Sequence, residues 1–209
     1  HETQLEDAFL AVFHGEAEND TFNVLVIAAG LDWREVSIMR AYGAYMRQIR
    51  APFSPRYIAE TLARYPQITR DLHALFKVRF EDPGNGALEP RAQAATLIRQ
   101  RIEDALQGVT GLDEDRIIRR VLNLIQATVR TNAFRFDASG RAEPTLAFKI
   151  AAREVDRLPE PKPYREIFVY SPRVEGVHLR FAPIARGGIR WSDRAQDFRT
   201  EVLGLAKAQ

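Results

Sequence analysis

Residues that could do chemistry are few in this sequence, and one stretch stands apart from ordinary scaffold: Phe181-Ala-Pro-Ile-Ala-Arg-Gly-Gly-Ile-Arg-Trp-Ser192. The adjacent glycines Gly187 and Gly188 permit a backbone geometry that side chains would block. Arg186 and Arg190 flank them. Exposed N–H groups and two guanidinium forks converging in this way suit a carboxylate or a phosphate. The alternative is a tight loop whose arginines pair with Asp193 and Glu201. The histidines, His1, His14, His73 and His178, are scattered, with no i, i+4 pair on a helix and no acidic cluster to complete a metal site. His73, between Leu72 and Ala74, reads as a satisfied structural histidine. No G-x-S-x-G, phosphate-binding P-loop or G-x-G-x-x-G string occurs.

Several elements must position that stretch. Glu2 to Phe13 reads as an amphipathic helix with Leu5, Phe9, Val12 and Phe13 inward. Asn23 to Leu31 is apolar and ambiguous between a strand and a buried helix. Asp32 with Glu35 forms a capping-box pattern before the stripe Val36, Met39, Tyr42 or Gly43, Met46 and Ile49. Ala51-Pro52 stops that helix. Ser54-Pro55 opens the next one. Past Pro66 the face Ile68, Leu72, Leu75, Phe76 and Phe80 continues. Glu81 to Pro90 is the clearest loop. Ala94, Ile98, Ile102 and Leu106 follow four apart. Asp113 is then expected to cap a helix bearing Ile117, Val121, Leu122, Ile125 and Val129.

Near Thr131 the apolar period changes from helical to alternating. Residues 133–150 become a hairpin candidate, with Phe134 and Phe136 facing Leu146, Phe148 and Ile150. The three prolines between Leu158 and Pro163 exclude a central strand there. Arg165–Tyr170 and Val177–Phe181 read as two more strands, so the glycine pair follows a strand end. A last helix should place Phe198, Val202, Leu205 and Ala206 inward. The expected class is α+β. A helical layer over 1–131 is followed by a small, mainly antiparallel or mixed sheet and a C-terminal helix over 132–209.

Composition narrows the functional classes. Hydrophobic residues make up 45% of the 209, which excludes a disordered chain. The longest apolar run, Val24–Leu31, is far short of the roughly 20 residues that cross a bilayer. With no cysteine and no signal-peptide pattern, a cytoplasmic protein without a membrane partner is expected. Lys and Arg total 30 against 28 acids, and the densest arginines (Arg116, Arg119, Arg120) alternate with Asp113, Glu114 and Asp115. That mixture is a solvated helix face, so nucleic acid is not an expected partner.

The string Arg186-Gly-Gly-Ile-Arg-Trp-Ser-Asp-Arg194, followed by Asp197-Phe-Arg-Thr-Glu-Val-Leu-Gly-Leu205, resembles the entry to the catalytic domain of the large NAD-specific glutamate dehydrogenases of bacteria. The resemblance covers about residues 164–209. It implies oxidative deamination of L-glutamate to 2-oxoglutarate, in a homo-oligomeric parent. It also implies that Arg186, Gly187, Gly188 and Arg190 help to position substrate. Smaller members of the family carry lysine where Arg186 stands. The catalytic lysine and aspartate and the NAD domain are expected beyond Gln209, leaving no catalytic, cofactor-binding or metal-binding residue in this chain. The leading His1 fits an excised piece of a longer protein, and the piece itself is expected to be inactive. A non-catalytic helical interaction module is the rival expectation.

Overall fold

The computed structural model describes residues 2–82, 88–183, 192–194 and 197–207, with no side-chain description for Leu88 and Lys207. Helices come first: α1 (Glu2–Phe13), α2 (Val24–Ala28), α3 (Trp33–Gln48), α4 (Pro55–Arg64), α5 (Pro66–Phe80), α6 (Leu88–Leu106) and α7 (Leu112–Ala127). Four strands follow, β1 (Thr128–Thr131), β2 (Leu146–Ile150), β3 (Arg165–Tyr170) and β4 (Glu175–Arg180), then α8 (Phe198–Lys207). The strands form an antiparallel meander in the order β1-β2-β3-β4. No helix among the described residues is long and apolar enough to cross a membrane.

Local chemistry explains where α3 and α4 begin. Asp32 accepts from Arg34 N and Glu35 N, both at 2.8 Å, and Glu35 Oε2 accepts from Asp32 N at 2.9 Å, completing the expected capping box. Ser54 Oγ accepts from Tyr57 N at 3.1 Å, with Pro55 in the first turn of α4. The ambiguous Asn23–Leu31 run resolves as a 3-10 turn leading into the short α2.

The core is continuous from α1 to β3. Its centre is an aromatic seam where α3 and α5 meet the sheet. Tyr42 lies 5.0 Å from Phe148, Phe76 lies 6.1 Å from Phe148 and 5.7 Å from Phe134, and Tyr45 lies 5.3 Å from Phe168. Tyr42 Oη is 2.9 Å from Thr128 Oγ1, whose own proton goes to Leu124 O at 2.7 Å, so Tyr42 is the donor. Burial and alternation place Leu146, Phe148, Ile150, Glu166, Phe168 and Tyr170 on the helix-covered face of the sheet.

Several sequence expectations are corrected. In α1 the small residues Ala8 and Ala11 face inward, while Phe9 and Phe13 are 69% and 74% exposed. That inward face meets α2 and α3. Gly111, not Asp113, is the N-cap of α7; Asp113 lies inside the first turn, where a carboxylate favours the helix dipole. That helix stops at Ala127, so Val129 is an exposed strand residue. The hairpin strands are therefore β1 and β2; Phe136 makes only an isolated bridge with Ala142. The loop after Glu81 ends sooner than expected, because α6 already includes Leu88–Pro90. In α8 it is Arg199 and Leu203 that are buried, while Leu205 is exposed.

Candidate functional site

Arg186, Gly187, Gly188 and Arg190, the residues singled out by sequence, lie outside the described residues. What the structure describes is the frame on either side of them. On the entry side, β4 pairs with β3 along its length, from Tyr170 opposite Glu175 to Arg165 opposite Arg180. Arg180 then donates to Pro183 O. On the exit side, Ser192 Oγ donates to Glu201 Oε1 at 3.2 Å and accepts from Arg194 N at 3.1 Å. Asp193 is exposed. Glu201, in the first turn of α8, thus bonds Ser192.

The strongest clamp is a buried ion pair that the sequence reading missed. Arg199 of α8 donates from Nε and Nη2 to the two carboxylate oxygens of Glu166 on β3, at 2.6 and 2.9 Å. The side chains are 2% and 0% exposed. Burial opposes the Arg199 charge, but the hydrogen bonds and charge of Glu166 outweigh it and hold its pKa above the usual arginine value. The Tyr45 hydroxyl is buried beside the pair. Burial first, and then the Glu166 carboxylate, push its pKa well above the ordinary phenol range. A signal was available: Glu166 shares strand parity with Phe168 and Tyr170, so a carboxylate on the core face required a buried cation.

The end of α3 holds the other end of β4, where that strand begins. Arg47 donates to Glu175 Oε1, and Gln48 Nε2 donates to Glu175 Oε2 at 3.0 Å, at the start of β4. Arg50 lies 3.9 Å from Asp197, an exposed and weaker contact. The chain before and after the Gly-Gly stretch is therefore held by the sheet and by α8.

Elsewhere, His73 is buried with Nδ1 3.5 Å from Glu35 Oε1, while Nε2 has no partner among the described residues. It is thus only half satisfied, and burial lowers its pKa. A cleft of about 550 Å³, lined in part by Trp33, Arg34, Glu143 and Arg173, opens where β3 ends at Tyr170. That is the opposite end of the sheet from the exit of β4, about 17 Å away along β3. No cluster of metal-ligating side chains occurs among the described residues.

Comparison with known proteins adds to this geometry. Residues 101–209 match the family model described as bacterial NAD-glutamate dehydrogenase, catalytic domain. Residues 17–82 match that described as glutamate dehydrogenase, helical motif 3. The chain is 51% identical over 206 residues to the NAD-specific glutamate dehydrogenase of Halomonas elongata, covering 97% of this chain and 12% of that protein. It is 50% identical over 205 residues to that of Pseudomonas aeruginosa, covering 98% and 13%. Against the Neurospora crassa enzyme the identity is 26% over 199 residues, covering 88% and 18%. The chain thus spans about an eighth of the length of its bacterial relatives.

Proposed function

The chain belongs to the bacterial NAD-glutamate dehydrogenase family, and on that basis we propose that it begins the substrate-binding part of an enzyme converting L-glutamate, NAD and water into 2-oxoglutarate, ammonia and NADH. The observation that carries this is positional. The Arg186–Arg190 stretch falls inside the matched catalytic-domain segment, between Pro183 and Ser192, each tied down by its own hydrogen bonds.

Glutamate offers two carboxylates. Arg186 and Arg190 supply the forks that would grip one of them, and the Gly187-Gly188 backbone lets N–H groups approach closely. Their part is to bind and orient; proton chemistry at the amino-bearing carbon belongs to residues beyond this chain. NAD supplies the hydride acceptor. Dinucleotides bind at the carboxyl ends of parallel strands, whereas the sheet described here is antiparallel throughout. These residues do not fit NAD, and no cofactor step is assigned to them. A helical region is proposed to precede the catalytic domain, with the boundary drawn earlier than the expected 131/132, because β1 already pairs with β2 and the catalytic-domain match starts at residue 101. A cytoplasmic homo-oligomer is proposed for the larger enzyme.

The test is an absorbance assay for NADH with glutamate, on the larger enzyme and on this chain alone, with NAD calorimetry on the chain. Glutamate-dependent NADH formation is expected only from the larger enzyme, with no tight NAD binding by the chain. Turnover by the pure chain would place the chemistry here, and no turnover by the larger enzyme would remove the assignment.

A further inference from the structure

The open face of the sheet carries a cluster of cations that the substrate loop does not account for. Antiparallel register sets Arg130 opposite Lys149, Lys149 opposite Ile167, and Ile167 opposite His178. Lys149 points away from the core face that Phe148 and Ile150 share. Arg130, Arg135 and Lys149 line a cavity of about 550 Å³ with Thr131, Asn132, Ala147 and Ile167, and no described carboxylate is among the lining residues.

Two features mark this as more than a solvated surface. The first is lack of partners: Arg130, Arg135 and Lys149 make no side-chain hydrogen bond or ion pair with any described residue. Neighbouring arginines do find partners, for Arg165 donates to Tyr164 O at 2.8 Å and Arg180 donates to Pro183 O. Like charges directly opposite on paired strands repel, so Arg130 beside Lys149 is unfavourable unless an anion lies between them. The second is a braced backbone. Asn132 Nδ2 donates to Thr145 O at 2.8 Å, and its Oδ1 accepts from Ala147 N at 2.7 Å. Thr131 Oγ1 accepts from Ala133 N at 3.1 Å, and Arg135 N donates to Asn132 O at 2.9 Å. The stems of all three cations are held in place before any ligand arrives.

We propose that this face is a binding site for a small polyanion carrying at least two phosphate or carboxylate groups, held by Arg130, Arg135 and Lys149. Lys149 would act as a point charge on the sheet and the two arginines as forks at its rim. The site lies two strands across from β4, whose His178 ends the same cross-strand row two residues before Arg180, so the Arg186 variant is the control that separates it from the Gly-Gly stretch.

Calorimetry on the 209-residue chain at low salt, with pyrophosphate and with citrate as probes, tests this. At least one probe should bind, and more weakly as salt rises. Lys149→Gln should weaken it about two- to fivefold, and Arg130→Gln/Arg135→Gln about tenfold, the scale of solvent-accessible charge pairs. Both variants remove repulsion, so they should fold at least as stably, which a thermal melt checks. Tighter pyrophosphate binding identifies a phosphate ligand and tighter citrate binding a polycarboxylate; either supports the site. Arg116→Gln and Arg186→Ala should leave the affinity unchanged. The site is overturned if neither probe binds or if the variants bind as tightly as the parent. Loss of binding in Arg186→Ala alone would likewise overturn it by placing the anion at the Gly-Gly stretch.

Discussion

Glu166→Gln should undock α8 from the sheet. The substitution keeps size and removes a charge, leaving the buried Arg199 guanidinium against a neutral amide. Breaking a buried pair from one side costs about 3–5 kcal/mol, because the surviving charge is left uncompensated. An opening equilibrium shifts tenfold for each 1.4 kcal/mol, so the change is at least about 100-fold. Because α8 is the last described element, much of the loss should emerge as local opening and not as global unfolding. Amide hydrogen exchange is therefore the assay: exchange at Leu203 to Ala206 should accelerate at least about 100-fold, with α3 and α5 little changed. The double variant Glu166→Leu/Arg199→Met should restore protection, since apolar replacement of a whole buried pair is commonly neutral or stabilising. Acceleration below about fivefold, or a double variant as unprotected as the single one, would refute the view that this pair seats α8.

Two further outcomes follow from packing and titration. A Cβ at Gly43 would lie 2.7 Å from Phe22 Cζ, so Gly43→Ala should lose more to overpacking than the roughly 1 kcal/mol that alanine gains in a helix. The expected fall in Tm is about 2–4 °C, with partial rescue by Phe22→Leu; an unchanged or higher Tm would show that Phe22 has room. His73 has its pKa lowered by burial, against the pull of Glu35, Asp32 and Glu81 and with the help of Lys77. The unfolded chain then binds a proton that the native state refuses. Stability should fall as pH drops below about 6.5 towards the lowered native value, and level off beneath it. His73→Gln should flatten that part of a Tm–pH profile between pH 7 and 5, and an unaltered slope would remove His73 as the cause.

How far the sequence revealed this molecule depended on the physics in play. Caps and proline stops are local, and Asp32, Ser54 and Pro66 could be read directly. Alternation also exposed β3 and most of β4. Choosing which face of an amphipathic helix lies inward was harder, because it depends on how closely the neighbour comes. In α1 the large Phe9 and Phe13 attract attention, yet Ala8 and Ala11 make the contact. In α8 a charged residue, Arg199, is the buried one, since its partner Glu166 lies 33 residues away on another element. The α7–β1 junction was misplaced for a similar reason. Thr128 holds on to Leu124 O through its side chain while its backbone has already joined the sheet. The Gly-Gly stretch carried the family resemblance without any of this context.

The most direct test of substrate gripping by that stretch is Arg186→Ala in the larger glutamate dehydrogenase, with kinetics for both substrates and a thermal melt. A charged hydrogen bond is worth about 1.5–3 kcal/mol, or roughly 10- to 150-fold. The glutamate kcat/KM should fall by about that factor while the NAD KM stays nearly constant, and Arg186→Lys should recover only part of the loss. An unchanged glutamate kcat/KM would contradict the substrate role. So would a lowered Tm with both substrates affected together, the result expected if Arg186 only pairs with Asp193 or Glu201.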